Sequence, residues 1–92
     1  MKTLRDKTVV ITGASSGIGR AAAVAFAKRG SNLVLAARRT ELLEKVKAEV
    51  EGLGVKALTV PTDVTAPRQS QGLIDASIEH FGQIDVLVNN AG

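Results

Sequence analysis

The sequence predicts an α/β fold in three layers, with an open parallel sheet held between helices. Four apolar, β-branched runs recur along the 92 residues, and three segments of helical period separate them. Short breaks marked by Gly or Pro join the two kinds of segment, so the order reads β-α-β-α-β-α-β.

The first strand is predicted at Thr8 to Thr12, a continuous run of β-branched residues, and Leu33 to Ala36, Ala57 to Val60 and Ile84 to Val88 repeat the pattern. Runs without polar alternation belong to strands covered on both faces, as in a parallel sheet. Ile18, Ala22, Ala25 and Phe26 predict the buried stripe of a first helix that stops at Gly30. Leu42, Leu43, Val46, Val50 and Leu53 form a second stripe, with Thr40 as its N-cap and Gly54 at its end. Ile74, Ile78 and Phe81 form a third, beginning near Thr65 to Pro67 and ending at Gly82. Pro in a first helical turn and Gly just past a last one suit those positions. Right-handed crossovers leave few topologies, and the predicted strand order is 3-2-1-4, an incomplete doubly wound sheet of Rossmann type. No repeat or low-complexity linker interrupts it. Residues 1–92 read as the N-terminal part of one such domain, cut after the fourth strand.

Composition narrows the function. At 45% hydrophobic residues the chain can build a core, and with two aromatic residues, Phe26 and Phe81, that core must be aliphatic. The net charge of +3 is spread over isolated or paired Lys and Arg, with few rings to stack on bases, which argues against nucleic acid. Cysteine is absent and His80 is the sole histidine, so neither disulfides nor a metal site is expected. The apolar run after the N-terminus is shorter than the ~7–15 residues of a signal core or the ~20 of a membrane span, so no membrane association and a cytoplasmic location are expected.

The chemistry is expected at the first turn, Thr12-Gly13-Ala14-Ser15-Ser16-Gly17-Ile18-Gly19. Gly13 would let the chain turn sharply off the strand, Gly17 would remove a Cβ from the path of a pyrophosphate, and Gly19 would let the helix lie close on the sheet. A helix N-terminus adds unpaired N–H groups and about half a positive charge. Gly13, Ser15, Ser16, Gly17, Ile18 and Gly19 are therefore candidate cofactor contacts.

The spacing is Gly-xxx-Gly-x-Gly rather than Gly-x-Gly-x-x-Gly. Together with Thr62-Asp63-Val64 and Asn89-Asn90-Ala91-Gly92, it resembles the successive motifs of the short-chain dehydrogenase/reductase family over the whole chain. The resemblance implies an NAD(P)(H)-dependent oxidoreductase of alcohols or ketones, commonly a dimer or tetramer. It also implies that Asp63 accepts a hydrogen bond from the adenine amino group while Val64 packs on the ring. Asn90, Ala91 and Gly92 are expected to meet the cofactor, and Asn89 to brace the strand end. Asp63 can equally serve as a turn or cap residue. His80 and Asp85 read as structural.

The end of the second strand bears on cofactor choice. NAD-preferring enzymes of this architecture carry an acid about 20 residues past the glycines. Here Ala37 stands in its place and Arg38 follows, suited to a 2′-phosphate, so NADP(H) is expected over NAD(H). The family's Tyr-xxx-Lys helix has no counterpart, since the chain contains no tyrosine. No catalytic residue is assigned, and these residues alone are expected to bind cofactor without transferring hydride. A non-catalytic dinucleotide-binding or regulatory module is the alternative. The glycine spacing and Asn-Asn-Ala-Gly argue against another Rossmann enzyme such as a sugar-nucleotide epimerase. Standing alone, the chain is expected to leave its fourth strand as an open edge and one sheet face largely bare, with marginal stability or aggregation as the result.

Overall fold

The structure, a computed structural model, describes residues 3–90. Its elements are β1 (Thr8–Thr12), α1 (Gly17–Lys28), β2 (Asn32–Ala37), α2 (Thr40–Glu51), β3 (Ala57–Pro61), α3 (Pro67–Phe81) and β4 (Val86–Asn89). The four strands are parallel in the order β3-β2-β1-β4, as the sequence predicts. Thr12 lies opposite Ala36 on one side and Asn89 on the other, so the C-terminal ends of the central strands finish level.

β1 is buried throughout, and β2 from Leu33 onward. Alternate side chains feed two cores. Val9, Ile11, Leu33 and Leu35 meet Leu43, Val46 and Val50 of α2 and the small residues of α1. Val10, Val34 and Ala36 meet Leu73 of α3 on the other face. Each fully buried Leu, Ile or Val contributes roughly 1.5–3 kcal/mol relative to exposure. The larger core thus lies under α1 and α2. The outer strands are less well covered: Ala57 is the one buried residue of β3, and Leu87 of β4 is 53% exposed. Among the described residues no helix is long and apolar enough to cross a membrane.

Two helices are turned from the faces their large apolar residues predict. On α1 the buried line is Gly19, Ala23 and Ala27, while Ile18 is 76% exposed and Ala25 is exposed. Ala22 and Phe26 flank the line, half-buried. A helix lying close to a sheet meets it through its smallest side chains, and a stripe drawn from bulk misses that seam. On α3 the buried line is Leu73 and Ser77, with Ile74 and Phe81 half-buried and Ile78 exposed. The Ser77 hydroxyl donates to Leu73 O at 2.7 Å within its own helix, so its burial leaves no polar group unpaired.

The helix ends are close to expectation, with α2 shifted at both of its ends. Thr40 is the first helical residue of α2 rather than its cap; the extended cap residue is Arg39. α2 ends at Glu51 with Gly52 rather than Gly54 as its C-cap, so Leu53 lies beyond the helix and is 44% exposed. Gly82 ends α3 in the left-handed region (φ 83°), its N–H donating to Ile78 O. His80 stacks edge-on against Phe81 there, and Asp85 accepts from the Thr8 N–H at the sheet edge opposite the glycine turn.

A contact not foreseen from sequence joins α1 to α2. Arg20 donates from Nε and Nη2 to both carboxylate oxygens of Glu49, at 2.8 and 2.7 Å, on the exposed side. Solvent-exposed pairs are worth little, whereas enlarging a buried seam forces the helix outward. Arg20→Ala is therefore expected to cost at most about 1 kcal/mol, and Ala23→Leu about 1–3 kcal/mol or more. Equilibrium denaturant unfolding of the protein carrying this chain ranks the two.

Candidate functional site

β1 delivers Thr12 to the C-terminal edge of the sheet, where Gly13 takes φ 63° and turns the chain back towards α1. Ala14 N–H donates to Ala36 O at 3.1 Å, extending the pairing with β2 past the strand. Ser16 is the extended N-cap of α1: its Oγ accepts from Gly19 N–H at 3.0 Å and donates to Gly13 O at 2.9 Å. Gly19 then sits directly on the turn. A Cβ there would lie 2.1 Å from Gly13 O and 2.9 Å from Ala14 Cα, so the close approach is to the loop backbone rather than to the body of the sheet. Gly17 differs, since a Cβ on it would meet nothing within 4 Å. Internal packing gives no reason for glycine there, whereas a ligand pressed against the backbone does. The N–H groups of Gly17 and Ile18 have no backbone acceptor among the described residues. This backbone cradle fits a pyrophosphate.

The end of β4 is tied into the same turn. Asn90 Nδ2 donates to Gly13 O at 3.2 Å and to Ser16 Oγ at 2.9 Å, and Asn90 N–H donates to Thr12 Oγ1. Asn89 Oδ1 accepts from Thr12 Oγ1 at 3.1 Å, the bracing expected of it. The side chain of Asn90, expected to meet the cofactor, is thus engaged in holding the loop. Ala91 and Gly92 lie outside the described residues.

From the turn, a cleft of about 320 Å³ crosses the ends of β2 and β3, lined by Gly13, Ser15, Ala37, Arg38, Thr62 and Val64. Arg39 and Thr65 complete its wall. The structure therefore brings together the loop, Arg38 and Val64, all singled out from sequence. Asp63 stands between Thr62 and Val64, and its Oδ1 takes the Arg38 guanidinium at 3.4 Å. That oxygen also accepts from Thr65 N–H at 3.0 Å and from Thr65 Oγ1 at 2.6 Å, while Asp63 N–H donates to Gln69 Oε1 at 2.7 Å. The turn role of Asp63 is thus directly visible. The Thr65 hydrogen bonds, with a smaller contribution from Arg38, hold its carboxyl below the usual carboxylate range. Sequence reasoning missed Thr65 and Gln69, although an Asp with a hydroxyl residue two positions on is a recognisable turn signal ahead of a helix. Among the described residues no group of three His, Asp or Glu could hold a metal ion.

Residues 7–92 match the family profile described as short chain dehydrogenase. An uncharacterized oxidoreductase of Listeria innocua is 43% identical over 90 residues, covering 98% of this chain and 36% of its own length. The structure of an NAD+-bound xylitol dehydrogenase superposes with TM-score 0.95 at 38% identity, over 99% of this chain and 35% of that one. L-Sorbose reductase from Gluconobacter frateurii, in complex with NADPH and L-sorbose, superposes with TM-score 0.94 at 42% identity, over 98% and 35%. The chain belongs to the short-chain dehydrogenase family, and it spans about a third of the length of these relatives.

Two outcomes follow for the loop and the turn. Ser16→Ala removes the cap and is expected to cost about 0.5–2 kcal/mol by denaturant unfolding; Gly19→Ala, which drives a carbon into Gly13 O, should cost more. Asp63 and Asp85 both have carboxyls depressed in the folded state, the latter chiefly by the Thr8 N–H. Their contribution to stability is full above the unfolded-state value near 3.8 and is lost as pH falls through the lower folded-state values. Acid unfolding should therefore steepen below about pH 4, and Asp63→Asn should flatten that slope.

Proposed function

With membership of the short-chain dehydrogenase family as premise, we propose that this chain binds the adenosine and pyrophosphate portions of NADP(H), in preference to NAD(H). The whole protein would then be an oxidoreductase of a small alcohol or ketone. The observation that carries the preference is the wall of the cleft, where Ala37 stands at the end of β2 and Arg38 and Arg39 follow it. No carboxylate occupies the Ala37 position to repel a 2′-phosphate, and a guanidinium is within the cleft to receive one.

Each residue has a part in this reading. The N–H groups of Gly17 and Ile18 hold the pyrophosphate at the positive end of α1, beside Gly13 and Ser15. Ser16, Gly19 and Asn90 keep the loop in shape. Arg38 takes the 2′-phosphate, Asp63 accepts from the adenine amino group, and Val64, 37% exposed, lies along the ring. The nicotinamide of such a cofactor supplies hydride exchange with a carbinol or carbonyl carbon. Nothing in this chain is assigned to proton transfer; its residues bind and orient. Polyhydroxy alcohols and ketones are the substrates to test first, since xylitol and sorbose name two structural relatives. A homo-oligomer and a cytoplasmic location belong to the same proposal.

Titration of NADPH and NADH into the protein carrying this chain, by calorimetry or nicotinamide fluorescence, tests the preference. A charge-assisted contact of roughly 1.5–3 kcal/mol predicts NADPH binding about 10- to 150-fold tighter. Arg38→Ala should remove most of that difference. Equal affinities in the unmodified protein would sink the reading.

A further inference from the structure

The contact between Arg38 and Asp63 joins the end of β2 to the turn after β3, linking residues 25 apart in sequence. Its two halves are not equally fixed. Asp63 Oδ1 is held by the N–H and hydroxyl of Thr65, and the Asp63 backbone by Gln69, so the carboxylate is anchored in its own turn. The Arg38 side chain is 71% exposed, and among the described residues it pairs with this carboxylate. Arg38 is therefore the half that can move.

We propose that Asp63 is a specificity-determining residue acting through Arg38, its carboxylate competing with a cofactor 2′-phosphate for the guanidinium. The inference rests on the reading of Arg38 given above and adds an opposing element to it. In the free protein the guanidinium is turned towards Asp63, and a 2′-phosphate must draw it away or share it. A ribose without that phosphate makes no such demand. The charge at position 63 consequently enters the ratio of the two affinities. Any contact between Asp63 and the adenine is common to both cofactors and cancels in that ratio. The preference for NADP(H) is thus set below what Arg38 alone would give.

Asp63→Asn tests this, since the amide oxygen can still accept from Thr65 while the charge is gone. NADPH and NADH dissociation constants are measured for the protein carrying this chain, alone and with Arg38→Ala. The NADPH-to-NADH affinity ratio should rise about two- to fivefold in Asp63→Asn, the size expected of an exposed charge pair. The rise should shrink in high salt. In the Arg38→Ala background the same substitution should leave the ratio where it was. Asp63→Ser, which also keeps an acceptor oxygen, should move the ratio the same way and serves if the Asn variant does not fold. An unchanged or lower ratio in the single variant overturns the proposal, and so does a rise that persists without Arg38. If Arg38→Ala alone leaves the ratio untouched, the reading of Arg38 itself is overturned.

Discussion

The carbonyl of Gly13 accepts from the Ser16 N–H, the Ser16 hydroxyl and the Asn90 amide, and its oxygen fills the space that a Cβ on Gly19 would need. One peptide group thereby fixes how β1 leaves the sheet, where α1 begins and where the end of β4 is anchored. The left-handed Gly13 allows the carbonyl to face inward, and the absence of a side chain at Gly19 lets the helix close over it. With that oxygen satisfied from three sides and the Gly19 N–H capped by Ser16, the Gly17 and Ile18 N–H groups are left without a backbone acceptor among the described residues. The geometry suited to an anion is therefore a by-product of how the loop satisfies its own polar atoms.

The rest of the fold positions this turn. β1 is central and buried on both faces, which keeps the loop from shifting with the edge strands. β2 runs beside it and ends level with it, so Ala37 and Arg38 follow immediately across the cleft from Gly13 and Ser15. β3 is one strand further out and brings Asp63 and Val64 to the same edge. The crossovers of a parallel sheet place every β-to-α connection on that edge, and the site is assembled from three of its strand ends.

Much of this was legible in the sequence because each signal was local. The runs at Thr8 to Thr12 and Leu33 to Ala36 are apolar on both faces, and only the middle of a parallel sheet accommodates them. Gly13 could be read by position as the turn off β1, whereas Gly19, expected to let the helix close on the sheet, makes its close approach to the loop backbone at Gly13. The faces of α1 and α3 could not be read in this way. Ile18 and Ile78 look like core residues by size, yet the sheet is approached through Gly19, Ala23, Ala27 and Ser77. Hydrophobic period reports which residues dislike water and is silent on how near two backbones come. The partners of Asn90 were hidden for another reason: they lie as many as 78 positions away, beyond any window of sequence, whereas the Thr65 partner of Asp63 was a local signal that hydrophobic pattern alone does not weigh.

The seating of α1 on small residues divides that helix into two histories of permissible change. Ala25 and Ile18 face outward, and replacement there disturbs little of the fold. Ala23 and Ala27 are buried in the core that includes β1 and β2, so a larger residue at either would force the helix outward. Within one helix, then, the inconspicuous Ala23 and Ala27 join Gly19 as positions with no room for a larger side chain, and the seating of the loop depends on them as well as on its glycines.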